Sequence, residues 1–192
     1  MKRFAVRFFL LFALLNLLLF ATACTTAWTT EASNIIILLG PAITSALAIL
    51  AAFGLGIPPT ALTAIQAWST AAQADLLTVK GLIDQYNAAA AGAKPGILVE
   101  IQTLIGVINT NLAALLPELH VTDAGTQVKI VAVFDAVAAE LTSLLALLPV
   151  VQGKVTGHDE VKALFNNLKS AKHFRADFNS KAGVFGKQYE VK

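Results

Sequence analysis

Residues 97–117 read ILVEIQTLIGVINTNLAALLP, and this stretch decides the fold. Leu98, Ile101, Leu104, Ile105, Ile108, Leu112 and Leu115 recur at steps of three and four. That spacing winds them onto one stripe of a 3.6-residue helix, the pattern of a helix packed on other helices. Sustained period-2 alternation, the signature of half-buried strands, is missing from the chain. Gly92-Ala93-Lys94-Pro95-Gly96 closes the stretch on one side and Pro117 on the other.

The same reading extends outward. Residues 123–148 carry Val128, Val131, Phe134, Val137, Leu141, Leu144 and Leu148 as their stripe, with Asp123 placed to accept from the open amides of the first turn. Residues 59–90 present Leu62, Ile65, Leu76, Val79, Ile83 and Tyr86, with the small Ala72 between them. At about 1.5 Å per residue that helix is roughly 45 Å long. Trp68 follows this stripe and reads as core. Residues 30–53, with Ile35, Ile36, Ile37, Leu38 and Leu39, form the first mature helix, which Gly40-Pro41 is expected to kink or split. Gly54-Leu55-Gly56-Ile57-Pro58-Pro59 is a break. Ala-Leu-Leu-Pro recurs at 114–117 and 146–149, a hint of a duplicated helix unit. Short connections make successive helices antiparallel neighbours, and abundant alanine favours helix and close approach. The expectation is an all-α fold, an up-down four-helix bundle with an additional basic amphipathic C-terminal helix.

Charge divides the chain near residues 149–156. Residues 24–150 hold three basic and eight acidic side chains, 11 charges in 127 residues, where soluble domains carry about a quarter. Residues 151–192 hold eight basic and four acidic ones. In the basic part Thr156-Gly157-His158-Asp159 resembles a capping box, and a helix over 157–179 follows. Val161, Leu164, Phe165, Leu168, Ala171 and Phe178 share its apolar face, with Lys162, Lys169, Lys172 and Arg175 off that stripe. This helix either packs on the bundle or offers its cations to an anionic lipid or an acidic cell-wall polymer. No nucleic-acid partner is expected, since an exported protein rarely meets one. A loosely ordered end with Gly183 and Gly186 is expected after it.

The N-terminus supplies an address. Lys2, Arg3 and Arg7 precede an apolar run over residues 8–20, then Ala21-Thr22-Ala23 and Cys24, the chain's one cysteine. This is a signal-peptide layout. The cysteine directly after the small residues resembles the lipobox of bacterial lipoproteins. That resemblance implies cleavage before Cys24, acylation of the new N-terminus with palmitate-type chains, and anchoring in the cell envelope. Ala21 and Ala23 equally satisfy the small-x-small rule of the ordinary signal peptidase, whose cut leaves Cys24 unmodified. The expected layout is a signal over 1–23, a lipidated tether over 24–30, the apolar bundle over 31–150, and the basic helix with a flexible end over 151–192. One thiol excludes an intramolecular disulfide, so the core must hold the domain together.

Catalytic chemistry is sparse. His120, His158 and His173 belong to no H-E-x-x-H pair. Asp75, Asp84, Glu100, Asp135 and Glu140 read as solvated helix surface. No phosphate loop, nucleophile elbow or dinucleotide fingerprint appears, so neither enzyme activity nor a cofactor or metal is expected. Trp28 suits a membrane interface or a linker. The functional expectation is a cell-envelope lipoprotein with a non-enzymatic structural or binding role. One alternative is an integral or pore-forming protein that inserts residues 35–53, a run of 19 residues without a charge. Another is a carrier of hydrophobic ligands. Low surface charge also points to self-association.

Overall fold

Helix α1 runs without a break from Lys2 to Phe53 in the computed structural model, which describes residues 2–151 and 170–192, and side-chain surroundings for 28–148 and 170–192. After it come α2 (Pro59–Ala88), α3 (Lys94–Leu115) with a 3-10 turn at Leu116–Glu118, α4 (Ala124–Val151) and α5 (Ala171–Ala182). Two further 3-10 turns, Gly183–Phe185 and Lys187–Tyr189, finish the chain. Every regular element among the described residues is helical, as the stripes require.

Pro41 does not divide α1. A proline inside a helix costs roughly 3 kcal/mol through one lost hydrogen bond and a clash with the carbonyl four residues back. Ile35, Leu39, Ala42, Ile43, Ala46, Ile49 and Leu50 are buried on both sides of it, and their packing holds the helix through the defect. The Thr44 hydroxyl donates to the Gly40 carbonyl at 3.1 Å, serving one acceptor beside the proline. Residues 24–30 also lie within α1, and Trp28 and Thr29 are buried.

Helix α1 packs against α2, α4 and α5, α2 against α3, α3 against α4, and α4 against α5. The seams are pinned by particular pairs. Trp28 meets Tyr86 edge-on with centroids 5.1 Å apart, and Gln73 Nε2 donates to Thr44 Oγ1 at 3.3 Å. The buried Trp68 indole donates to the Ile108 carbonyl at 3.1 Å and lies edge-on to Phe134. Asn109 Nδ2 donates to Thr142 Oγ1 at 3.2 Å. The Thr122 amide donates to the Leu55 carbonyl at 2.8 Å, joining the α1–α2 turn to the segment before α4. That turn needs Gly56, whose φ is +90° and whose absent Cβ would fall 2.0 Å from Thr122 Oγ1.

The inward stripes match the sequence reading closely on α2 and α3. On α4 one member differs: Val128 is 70% exposed, and Ile130, Val133, Phe134 and Val137 face inward. Two consecutive steps of three carry Val128 about 120° round the helix from Phe134, at about 100° per residue. Asp123 caps α4 as expected, accepting from the Thr126 amide at 2.7 Å.

The C-terminal region differs more. The described helix there is Ala171–Ala182, capped by Ser170, whose hydroxyl accepts from the His173 amide at 3.2 Å. The Glu31 carboxylate reaches over from α1 to accept from the Ala171 amide, placing negative charge at the positive end of α5. Thr156 and the first part of the expected helix lie outside the described residues. Phe174, Phe178 and Ala182 are buried in the seam with α1 and α4. The expected loose end is instead a strap. Gly186 (φ +132°) turns the chain between the two 3-10 turns, and Phe185 and Tyr189 pack on Phe53. Asn179 clasps Val191, donating to its carbonyl at 2.9 Å and accepting from its amide at 2.8 Å.

Candidate functional site

The residues singled out by the sequence do not form one cluster. Cys24 lies within α1, and its side-chain surroundings are outside the described set. Lys162, Lys169 and His158 fall outside the described residues. Lys172 and Arg175 are exposed on α5, three residues apart and so on one face. His120 and His173 are exposed on different segments. Among the described residues, no three of His, Cys, Asp and Glu come together as a metal site would need.

The carboxylates divide. Asp84 is exposed and pairs with Lys80 at 2.9 Å, one turn apart on α2. Glu100 and Asp135 are exposed, and Asp75 is half-buried. Glu140 departs from the reading as solvated surface, being buried on α4. The signal for this was present in the sequence: Val133, Val137, Glu140 and Leu144 are spaced by four, three and four, so Glu140 occupies a core position of the stripe. Trp28 stands within helix α1. It is 3% exposed against Tyr86, whose ring also lies 4.7 Å from the Lys94 ammonium. Burial pushes the Tyr86 phenol above its ordinary value, and the neighbouring Trp28 indole opposes that in part. The Thr126 hydroxyl and amide hold the Asp123 carboxyl below its ordinary value.

Concave surface gathers along the outer ridge of α1. Between α1 and α2 lies a half-open groove of about 600 Å³, walled by Ile36, Ile37, Pro41, Leu76 and Leu77, with Gly40 at its edge. Thr44, Ser45 and Gln73 line it as polar groups, and so does Lys80. On the opposite flank of the ridge, between α1 and α5, a second groove of about 350 Å³ is lined by Asn34, Ile37, Leu38, Ala171, Arg175 and Lys192. Ile37 lines both grooves and is 55% exposed, while Leu77 is 73% exposed. A third hollow, of about 490 Å³, sits at the α1–α2 turn by Leu55 and Thr122, where Asp123 is already committed to Thr126.

Sequence reasoning missed the groove residues because a void has no periodic signature. Gly40-Pro41 was the available signal, read there as a helix defect. The grooves offer shape, apolar surface and positive charge, which are means of binding.

The segments Trp28–Phe53, Lys94–Glu118 and Ala124–Leu148 are each long and apolar enough to cross a membrane. Helix α2 is not among them. No family model, curated protein or solved structure matches this chain.

Proposed function

We propose that this protein is an exported, lipid-anchored helical bundle of a bacterial cell envelope, and that it works by binding or as a structural element. The observation that carries the reading is Cys24, the single cysteine, standing directly behind Ala21-Thr22-Ala23 at the end of a signal-peptide layout. Acyl chains on Cys24 hold the protein to a membrane, and the folded part presents its surface to an anionic partner.

The arrangement proposed for that part is an up-down four-helix bundle with α5 laid along the α1–α4 seam. It is supported by the circuit of contacts from α1 through α2 and α3 to α4 and back to α1. The pairs Trp28–Tyr86, Thr44–Gln73, Trp68–Ile108 and Asn109–Thr142 agree with it, since each joins positions that approach as one helix rises and its neighbour falls.

The rival is an integral membrane protein built on the apolar span Trp28–Phe53. Helix α2 argues against it. This helix closes the circuit yet carries Asp75 near its middle, followed by Lys80 and Asp84. Charges at that depth of a bilayer are costly without a polar pathway. A water-facing bundle leaves Lys80 and Asp84 in the ion pair they make.

Intact-mass and N-terminal peptide analysis of the protein from a bacterial host tests the reading directly. A mature chain that begins at acylated Cys24 is the expected result. Carbonate extraction of a Cys24→Ser variant then separates the rivals, because an anchored bundle is released and an inserted helix stays with the membrane. Retention of that variant, with its signal removed, sinks the proposal.

A further inference from the structure

We infer that the two grooves flanking α1 form one binding site for a single-chain anionic lipid. Its head group lies between Arg175 and Lys192, and its acyl chain crosses Ile37 into the α1–α2 groove. The inference rests on the envelope reading above and names the partner of the basic C-terminal region.

Charge fixes the polarity of the site. Arg175 comes from α5 and Lys192 from the end of the strap, and both line the smaller groove. Neither makes an ion pair among the described residues. Lys172 adds a third cation one turn before Arg175. The acidic groups nearby are already engaged, Glu31 at the rim of this same groove, since Ala171 lines it. Glu31 accepts from the Ala171 amide, Asp177 pairs with Lys181 at 2.7 Å, and Glu190 lies over Gly183. Three cations against the one Glu31 carboxylate leave a mouth of net positive charge, with the Asn34 amide beside it and Ile37 and Leu38 as its floor. A guanidinium and an ammonium converging from two segments suit a phosphate, which the fork of the arginine can grip in bidentate fashion.

The chain path begins where the head group ends. Ile37 is shared by the two grooves, so an occupant of the mouth meets apolar surface continuous with Pro41, Leu76 and Leu77. Leu77 and Ile37 are large apolar side chains left open to solvent on the walls of this one groove, which a chain would cover. Its volume of about 600 Å³ lies within the usual range for small-ligand sites. Gly40 adds to the space: a Cβ there would meet nothing within 4 Å, so no close packing demands glycine. Level with Ile37, where the chain enters this groove, Lys80 is neutralised by Asp84, so no second anion is drawn there; the chain terminus then points toward Thr44 and Gln73.

Native mass spectrometry of the full chain, purified in detergent from a bacterial membrane, tests the site. The probes are lysophosphatidylglycerol, lysophosphatidylcholine and glycerol 3-phosphate. The expected result is one bound lysophosphatidylglycerol, at least tenfold tighter than lysophosphatidylcholine, with glycerol 3-phosphate failing to compete. Arg175→Gln with Lys192→Gln should abolish the preference, Gly40→Leu should weaken both lipids, and Lys187→Gln should change neither. All four positions face open space, and a thermal melt checks that the variants fold. Equal affinity for the two lipids, a preference that survives the double variant, or glycerol 3-phosphate binding as tightly as the lipid overturns the inference. The same spectra weigh the N-terminus. Unmodified Cys24 with the preference intact removes the anchor and keeps the site, while acylated Cys24 without the preference removes the site alone.

Discussion

Replacing Asn179 by alanine should free the C-terminal strap while leaving the helices beneath it folded. The Asn179 side chain makes two hydrogen bonds to one residue, at 2.9 Å to the Val191 carbonyl and at 2.8 Å from its amide. Each is worth about 0.5–1.5 kcal/mol net, so the pair contributes about 2 kcal/mol. The strap has little in reserve against that loss. Ordering backbone costs about 1–2 kcal/mol per residue. The apolar return comes chiefly from Val191, buried, and from Phe185 and Tyr189 against Phe53, with ring centroids 5.0 and 6.1 Å away. A loss of about 2 kcal/mol multiplies the open population by roughly 30. Amide hydrogen exchange read by mass spectrometry should therefore speed up by about that factor at residues 184–191. Protection in α2 and α3 should stay where it was, because neither helix touches the clasp. Asn179→Asp keeps the acceptor for the Val191 amide but sets a carboxylate oxygen against the Val191 carbonyl, and it should loosen the strap about as much. Unchanged exchange at 184–191 in the alanine variant would refute the reasoning, since it would mean that the aromatic contacts alone hold the strap.

Three further outcomes follow from the packing. Gly56→Ala forces a side chain into a φ of +90° and into Thr122 Oγ1, so chemical denaturation should show a loss of about 1–3 kcal/mol. Phe134→Ala empties a fully buried position beside Trp68, and the same measurement should register about 3–5 kcal/mol with a dimmer, shifted Trp68 emission. Asp123 has its carboxyl held below the ordinary value of 3.8, so its cap is in force above that pH and is lost as pH falls through the lower folded value. Acid titration should thus weaken the protection of the first turn of α4, and Asp123→Asn should remove that pH dependence while keeping the cap.

The helices were legible because each buries one stripe, and a stripe is written locally. Leu98 through Leu112 and Ile65 through Tyr86 are core where a 3.6-residue repeat puts them. A run of threes drifts off the stripe, so Val128 reads as inward though exposed; Glu140 reads as surface by its charge, though it is in register with Val137 and Leu144 and buried. The strap was illegible for another reason. Gly183 and Gly186 look like looseness in one dimension; the bond from Asn179 to Val191 that makes them a turn spans 12 positions and leaves no local pattern. The burial of Trp28 has no local sign, because its partner Tyr86 lies on a different helix. The grooves are spaces bounded by side chains from two elements at once, and a linear pattern records residues, not the gaps between them.

Burial of Trp28 also bears on where such a protein can act. With Trp28 and Thr29 part of the folded body, the proposed anchor at Cys24 would be separated from it by residues 25–27 alone, which continue α1. Three residues span at most about 10 Å even when fully extended. On that proposal the body would ride within about 10 Å of the lipid, turning on its anchor and diffusing with it. Its encounters would then be two-dimensional, made with molecules that share the same membrane sheet or come down to it.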